Sequence, residues 1–591
     1  MKKYLKIMYD MTEGFRLRYF FGFVLLFFSV ILMLLSSFLS KILVDTLMGD
    51  APIGYVDIFL TNLLGGQAFL KDNLWIFSFI ILGFGLARAL INIQRMIIRG
   101  DLNTSIGKVM QLKLFHHIER LPYPVLKKSK SGDIIQTCTR DEEVLRRFVI
   151  NEVNMIMYTV FIVFFAFLIL YSINWKIAVA SVLILPVMAV YSFFLIKEVR
   201  RRYKKTDDSE GMMTSKIEEN LSSVRVVKAY NNENHEIDEF EKYLKDYENK
   251  FVHWRKASSF YFASTDILVF GQITLAGLFG IFLAYNKDIS PGTLWLAISF
   301  VSMIVWPVRQ VATILSNLAR AVVSMDRINL ILHQPVEDID SGLTPKIKGE
   351  ITFENTGFQY DDGNETILKN INLSIKAGET IAIMGKTGSG KSTLSHLLTR
   401  LYDYTEGSIK IDGVELKDIQ KRHLRTNIAT VLQEPFLFSK TIINNLRVAN
   451  KGASEEAIFR AAQIADIHQT IIGFKQGYET PVGEKGVTLS GGQKQRLAIA
   501  RTIINEVPIL VFDDSLSAVD TETDLHIRSA LKTRAANTTT LIITHRIATA
   551  KDADRIIVLE EGTIAQCGTH DELIQQDGLY KRVFDIQTRM I

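Results

Sequence analysis

Ile381-Ala382-Ile383-Met384 runs directly into Gly385-Lys386-Thr387-Gly388-Ser389-Gly390-Lys391-Ser392, and Leu394, Leu397 and Leu398 follow at helical spacing. A short apolar strand, a glycine-rich turn and a helix start, in that order, make a phosphate-binding P-loop in the context it needs. The glycines let successive backbone N–H groups turn inward around phosphate oxygens, and the helix N-terminus adds its positive dipole end. Lys391 is placed to reach the β- and γ-phosphates, and the Ser392 hydroxyl to ligate Mg²⁺. The bland alternative, a glycine-rich turn that holds nothing, does not account for strand, helix and full spacing together.

About 120 residues further on, Ile509-Leu510-Val511-Phe512 reads as a buried parallel strand ending in Asp513-Asp514. Carboxylates there face the phosphates, with Asp513 placed to bind Mg²⁺ through water and Asp514 to polarise the attacking water. Between the two strands lies a second glycine turn opening a helix, Leu489-Ser490-Gly491-Gly492-Gln493 followed by Lys494 to Arg501. One P-loop needs no second phosphate-cradling turn. The economical explanation is a head-to-tail dimer, in which this turn closes over the γ-phosphate held by another subunit.

The other half of the chain is of a different kind. With 591 residues, 48% hydrophobic and 22% charged, the chain is neither one small module, nor disordered, nor all membrane helix. Six apolar stretches, near 19 to 45, 74 to 98, 152 to 173, 176 to 198, 259 to 285 and 292 to 315, match the ~20 residues needed to span a bilayer. Lys2, Lys3, Lys6, Arg16 and Arg18 precede the first, and no small-residue cleavage site follows it, so it reads as uncleaved. The connection from Arg95 to Arg147 and the one from about 199 to 257 are strongly basic, whereas the intervening loops hold only Lys71, Lys176 and Lys287. Positive charge stays on the cytoplasmic side, which puts both termini there. The two long inward connections carry helical patterning and read as extensions of the membrane helices. A net charge of +5 over this length gives no footprint for nucleic acid, and Cys138 and Cys567, one per half, build neither a zinc site nor a disulfide framework.

Taken in order, these motifs resemble those of the ATP-binding cassette (ABC) transporters, specifically exporter half-transporters with six membrane helices and one nucleotide-binding domain, and the resemblance covers nearly the whole chain. Residues 385 to 392 match Walker A, 509 to 513 Walker B and 489 to 493 the signature motif. Tyr360 matches the aromatic that stacks on adenine, Gln433 the glutamine that senses Mg²⁺ and the water, 481 to 486 the X-loop, 517 to 520 the D-loop and His545 the switch histidine. The resemblance implies ATP and Mg²⁺ as cofactors. Gly385 to Thr393, Tyr360, Gln433 and Ser490 to Gln493 would contact nucleotide, with Ser392, Gln433 and Asp513 at the metal and Asp514, His545 and Gln433 at the reacting water. It also implies short coupling helices near 123 to 131 and 208 to 217.

The expected fold class is a polytopic α-helical membrane domain (1–334) joined by a linker (335–348) to an α/β P-loop NTPase domain (349–591). One departure from the family pattern is specific: Asp514 stands where a hydrolytic cassette usually has Glu. A carboxylate shortened by one methylene is misplaced by about 1 Å, which costs on the order of a hundredfold in rate. This resembles the degenerate site of heterodimeric exporters, in which the partner carries the altered signature: the intact Leu489 to Gln493 would then complete the active site on the partner's Walker A, while the retained His545 counts against that reading. Asp266, Arg309, Gln310, Arg88 and Asn92 interrupt apolar sequence at similar depths, and Asp266 and Arg309 are placed to pair or to line a cavity. The resulting expectation is ATP-driven export of an amphipathic or hydrophobic compound across the plasma membrane, in a dimer with a second half-transporter and in contact with membrane lipid. A regulatory or ATP-gated subunit and a homodimeric lipid or peptide exporter are the alternatives.

Overall fold

The computed structural model describes residues 8–48, 58–59, 61–62, 65–361, 363, 365–515, 521–534 and 538–589. The chain divides into two compact units, one of Met1–Glu119 with Lys130–Gln334, the other of Arg120–Ser129 with Pro335–Ile591.

In the first unit, six helices are long and apolar enough to cross a membrane, as the apolar stretches predict. They are α1 (Arg16–Met48), α2 (Trp75–Ile118), α4 (Ser131–Ile173), α5 (Trp175–Ser222), α7 (Glu233–Tyr285) and α8 (Pro291–Leu332). Among the described residues, short helices interrupt the series at Gly66–Asp72, at α3 (Tyr123–Lys128), which belongs to the second unit, and at α6 (Val224–Ala229). At 53 residues α7 extends ~80 Å, more than twice the ~30 Å hydrocarbon core, so the helices do continue far beyond the apolar segments. Sequence determines the ends locally. Pro291 occupies the first turn of α8 and Ser290 caps it by accepting from the Thr293 N–H at 3.1 Å. Within α5, Pro186 cannot donate to the preceding turn, and Gln272 from α7 repairs the ladder: its Oε1 accepts from the Ile184 N–H (2.9 Å) and its Nε2 donates to the Ala180 carbonyl (2.8 Å).

The second coupling helix is not where the sequence reading puts it. Residues 208 to 217 lie inside α5, and the separate short helix is α6. The break falls at Ser222-Ser223, where Ser223 leaves helical torsion angles and its hydroxyl bonds back to the Glu219 carbonyl at 2.7 Å. Asn231, at φ 52°, then turns the chain into α7. The first short helix is shorter than expected, because Ser129 is already extended.

Two ion pairs lie among the apolar stretches of this unit. Asp45 of α1 accepts from Lys41 Nζ (3.0 Å), Ser290 Oγ (2.9 Å) and the Gly292 N–H (2.7 Å), with Lys41 fully buried. Asp266 of α7 and Arg309 of α8 form an ion pair, as their matched depths suggest, and the guanidinium also sits 5.0 Å from the Phe262 ring centroid. Arg88 is not part of that pair, and Asn92 bonds instead to Ser29 and Arg95.

The second unit contains two sheets. β1 (Ile351–Gln359), β2 (Thr366–Ile375), β4 (Glu406–Ile411) and β5 (Val414–Glu415) form an antiparallel sheet in the order β2-β1-β4-β5. β3 (Thr380–Gly385), β6 (Ile428–Val431), β7 (Ile509–Asp513), β8 (Thr539–Ile543), β9 (Arg555–Glu560) and β10 (Thr563–Gly568) form the other, in the order β10-β9-β3-β8-β7-β6. Only β10 is antiparallel in it. Every residue of β7 is buried, as expected for an apolar run in a parallel sheet covered on both faces. The parallel strands bring their C-terminal ends to one edge, where ligands of open α/β sheets bind. Residues 335–348 run without helix, and Glu337 holds them to this unit through Arg425 (2.7 and 2.9 Å) and Lys421 (2.9 Å).

Candidate nucleotide site

β3 ends at Gly385 and the turn closes at Gly390, where α9 (Lys391–Leu398) begins. Both glycines are sterically required. A Cβ on Gly385 (φ 152°) would lie 2.3 Å from the Leu559 carbonyl oxygen, and one on Gly390 (φ 99°) 2.6 Å from the Leu368 side chain. Lys391 folds back over this turn, its Nζ donating to the carbonyls of Gly385 (2.9 Å) and Lys386 (2.7 Å). Burial holds the ammonium below the usual lysine range, opposed by Asp514 and Asp513. The Ser389 hydroxyl is buried in the same turn with no hydrogen-bond partner among the described residues. A desolvated cation and an orphaned hydroxyl beside inward-turned backbone suit phosphate.

Ser392 Oγ donates to Asp513 Oδ1 at 2.9 Å, tying the start of α9 to the end of β7. Burial pushes the Asp513 carboxyl up, against the Ser392 hydrogen bond, and neighbouring Asp514 pushes the same way as burial. Asp514 occupies the left-handed region at φ 46°, its N–H bonded to the Ile543 carbonyl (2.9 Å). Burial raises its pKa too, opposed by His545, Lys391 and Arg546. His545 follows β8, is exposed, and lines a cavity of about 280 Å³ with Gly385, Lys386, Thr387 and Tyr580. Gln433 is exposed two residues past β6, whose last residue pairs with Phe512, so its backbone adjoins the end of β7.

Tyr360 follows β1, and its hydroxyl lies 3.2 Å from Thr393 Oγ1. Its ring packs edge-on against Tyr402, with centroids 5.0 Å apart, and Lys127 Nζ from α3 lies 4.9 Å from its centroid. Lys128 pairs with Asp361 at 3.3 Å. Sequence reasoning missed Lys127, Lys128 and Tyr402 as neighbours of Tyr360. The only signal was the Lys-Lys pair closing a short segment after Pro124.

The second glycine turn, Leu489 to Gln493, does not line this cavity. Ser490 caps α10 (Gly491–Ile503) in a reciprocal box: the Ser490 N–H donates to Gln493 Oε1 (2.9 Å) and Ser490 Oγ accepts from the Gln493 N–H (3.3 Å). Ser490 and Gly491 are exposed, so a rigid, solvent-facing helix N-terminus is presented outward. The predicted D-loop, 517 to 520, lies outside the described residues.

Residues 19–308 match the family model for the ABC transporter transmembrane region and 368–517 that for the ABC transporter ATP-binding region. An ATP-dependent lipid A-core flippase of Desulfotalea psychrophila is 32% identical over 550 residues, covering 90% of this chain and 95% of the relative. The chain belongs to the ABC transporter family. Another similar ABC transporter, YgaD of Bacillus subtilis, provisionally named a multidrug export ATP-binding/permease protein, is 33% identical over 485 residues, 81% of this chain and 83% of the relative. The solved structure of a bacterial Atm1-family ABC exporter with ATP bound superimposes with a TM-score of 0.82 at 25% identity, covering 97% of this chain and 99% of that one. This ABC transporter is therefore a multi-pass membrane protein with an ATP-binding, ATP-hydrolysing domain coupled to transport, in the exporter fold.

Proposed function

We propose that this chain is one subunit of a dimeric exporter that moves drug-like or lipid-like amphiphiles out across the plasma membrane, with both termini cytoplasmic. Similarity to a lipid A-core flippase and to a protein named for multidrug export supports the cargo class. The observation that carries the dimer is the exposed, self-capped turn at Ser490, a second helix N-terminus suited to phosphate in a chain with one P-loop. Such a turn is free to complete an ATP site on another subunit.

Within each chain, Lys391 exchanges its two carbonyl partners for phosphate oxygens, and Tyr360 offers a ring face for adenine. Ser392 and Asp513 form an all-oxygen donor pair that suits Mg²⁺, and Gln433, exposed two residues past β6, would approach it. When bound, the metal neutralises charge developing on the phosphates. Asp514 orients the water, with the His545 charge acting on its carboxylate. Closure of two cassettes on two ATP molecules then switches the membrane helices between inward- and outward-facing states.

Asp514 favours an asymmetric pair in which this chain's own P-loop hydrolyses slowly and its signature turn serves the partner's fast site. The left-handed backbone gives a physical reason for the shorter residue, since Asp tolerates that conformation better than Glu. Intact mass of the complex from its native membrane, with both chains identified, tests this. A second half-transporter carrying Glu after its Walker B strand supports the asymmetric pair, and two identical chains refute it.

A further inference from the structure

In the first unit, a cavity of about 540 Å³ opens between the start of α1, the far part of α2 and the start of the apolar run of α4. Three arginines line it, Arg95, Arg99 and Arg147. Arg95 donates to Asn92 (3.0 Å) and Asn154 (3.1 Å), and Arg99 donates to Asn151 (2.9 Å). Those partners are neutral. Among the described residues, Asp101 is engaged by Arg18, Glu143 by Arg147 and Glu152 by the Asn317 amide, and none of the three pairs with Arg95 or Arg99. Arg95 and Arg99 therefore carry uncompensated positive charge. Each asparagine that accepts from a guanidinium keeps its amide NH₂ as a further donor, so the cavity is rich in donors for an anion.

Depth and wall chemistry narrow the anion. Arg95 lies 20 residues after Trp75, ~30 Å along α2, which is the thickness of the hydrocarbon core. The cavity is thus at headgroup level, and Phe23 and Met96 give it apolar walls. Residues Phe148–Glu152, which supply Ile150 and Asn151, form a π-helical turn, a widened stretch in which the chain departs from regular helix to place these groups.

We propose that this cavity binds the phosphate of an anionic lipid headgroup as a bound structural lipid, separate from the exported cargo. The proposed exporter orientation enters only in naming the cytoplasmic leaflet as the source. Bidentate guanidinium groups recognise phosphate, and basic pockets between membrane helices are suited to such headgroups.

The test uses the full-length complex, delipidated in detergent, with its melting temperature followed against phosphatidylglycerol, phosphatidylcholine or inorganic phosphate. Phosphatidylglycerol is expected to raise the melting temperature saturably while phosphatidylcholine does not. R95Q/R99Q is expected to raise the half-saturating phosphatidylglycerol concentration about tenfold or more. The near-isosteric Asn151→Asp places a carboxylate against Arg99, so it should keep or raise the basal melting temperature while losing the phosphatidylglycerol response. Equal responses to the two lipids, or an unchanged response in both variants, overturns the proposal. A matching shift from millimolar inorganic phosphate overturns the lipid assignment in favour of a soluble anion. ATP turnover is measured on the same samples. Failure of the exporter reading appears as absent turnover in the wild type, independently of the lipid response.

Discussion

Lys391 and Lys41 are both buried lysines, one in each unit, and their surroundings differ in kind. Lys41 meets a carboxylate that also receives Ser290 Oγ and the Gly292 N–H, so charge cancels charge within the fold. Lys391 meets only two backbone carbonyls, with Asp513 and Asp514 nearby and an unpartnered Ser389 hydroxyl in the same turn. A closed network holds helices together, whereas an open one is incomplete without a ligand. The same contrast separates the Asp266–Arg309 pair from the uncompensated Arg95 and Arg99.

Substitution at the two lysines sharpens that contrast most. Lys391→Met is expected to lower ATP affinity at this chain's site by a hundredfold or more, ~3 kcal/mol, while leaving the melting temperature unchanged or higher. Nucleotide crosslinking and calorimetry on one preparation check both halves. Lys41→Met should do the reverse, removing about 3 kcal/mol of stability by stranding buried Asp45 and sparing ATP affinity in whatever protein folds. If the two variants behaved alike, the contrast would collapse.

Asp514 is the next lever. Asp514→Glu is expected to raise turnover at this chain's own P-loop by tenfold to about a hundredfold, offset by added strain at its left-handed backbone. Asp514→Asn should leave turnover of the complex largely intact if the partner site is the fast one. Loss of turnover to background in that variant would make Asp514 the working carboxylate. The same change gives a pH signature. Burial and the Asp514 charge both raise the Asp513 pKa, so the ionised form that binds metal is lost on acidification at a higher pH than for a surface aspartate. Removing the Asp514 charge should shift the acid limb of Mg–ATP binding to lower pH, measured by titrating affinity between pH 4 and 8. The smallest effect belongs to Ser490→Ala, which removes a cap worth about 1 kcal/mol and is read as faster amide exchange in the first turn of α10.

How much the sequence reveals differs along the same line. The P-loop, β7 and the Ser490 turn are legible because each packs its chemistry into five to eight consecutive residues flanked by a strand or helix of clear pattern. Spans of the membrane helices are legible because hydrocarbon demands long apolar runs. The Arg95–Arg99–Asn151 cavity draws residues from three helices and needs a π turn to form, so no spacing announces it. Likewise the α5–α6 break is not legible: the family resemblance implies a short helix at 208 to 217, and the mixed charges from Asp207 to Lys216 suit a solvated helix as well as a connector. A serine pair with no glycine or proline nearby is a weak stop signal.

Arg120–Ser129 deserves a mechanical reading. These residues group with the ATP-binding unit, yet covalently they join α2 to α4. Ten residues make a short tether, so the ends of both helices stay within its reach of α3. Lys127 lies over the ring of Tyr360 and Lys128 pairs with Asp361, so the segment that links these two helices is itself fastened beside the end of β1 within the second unit.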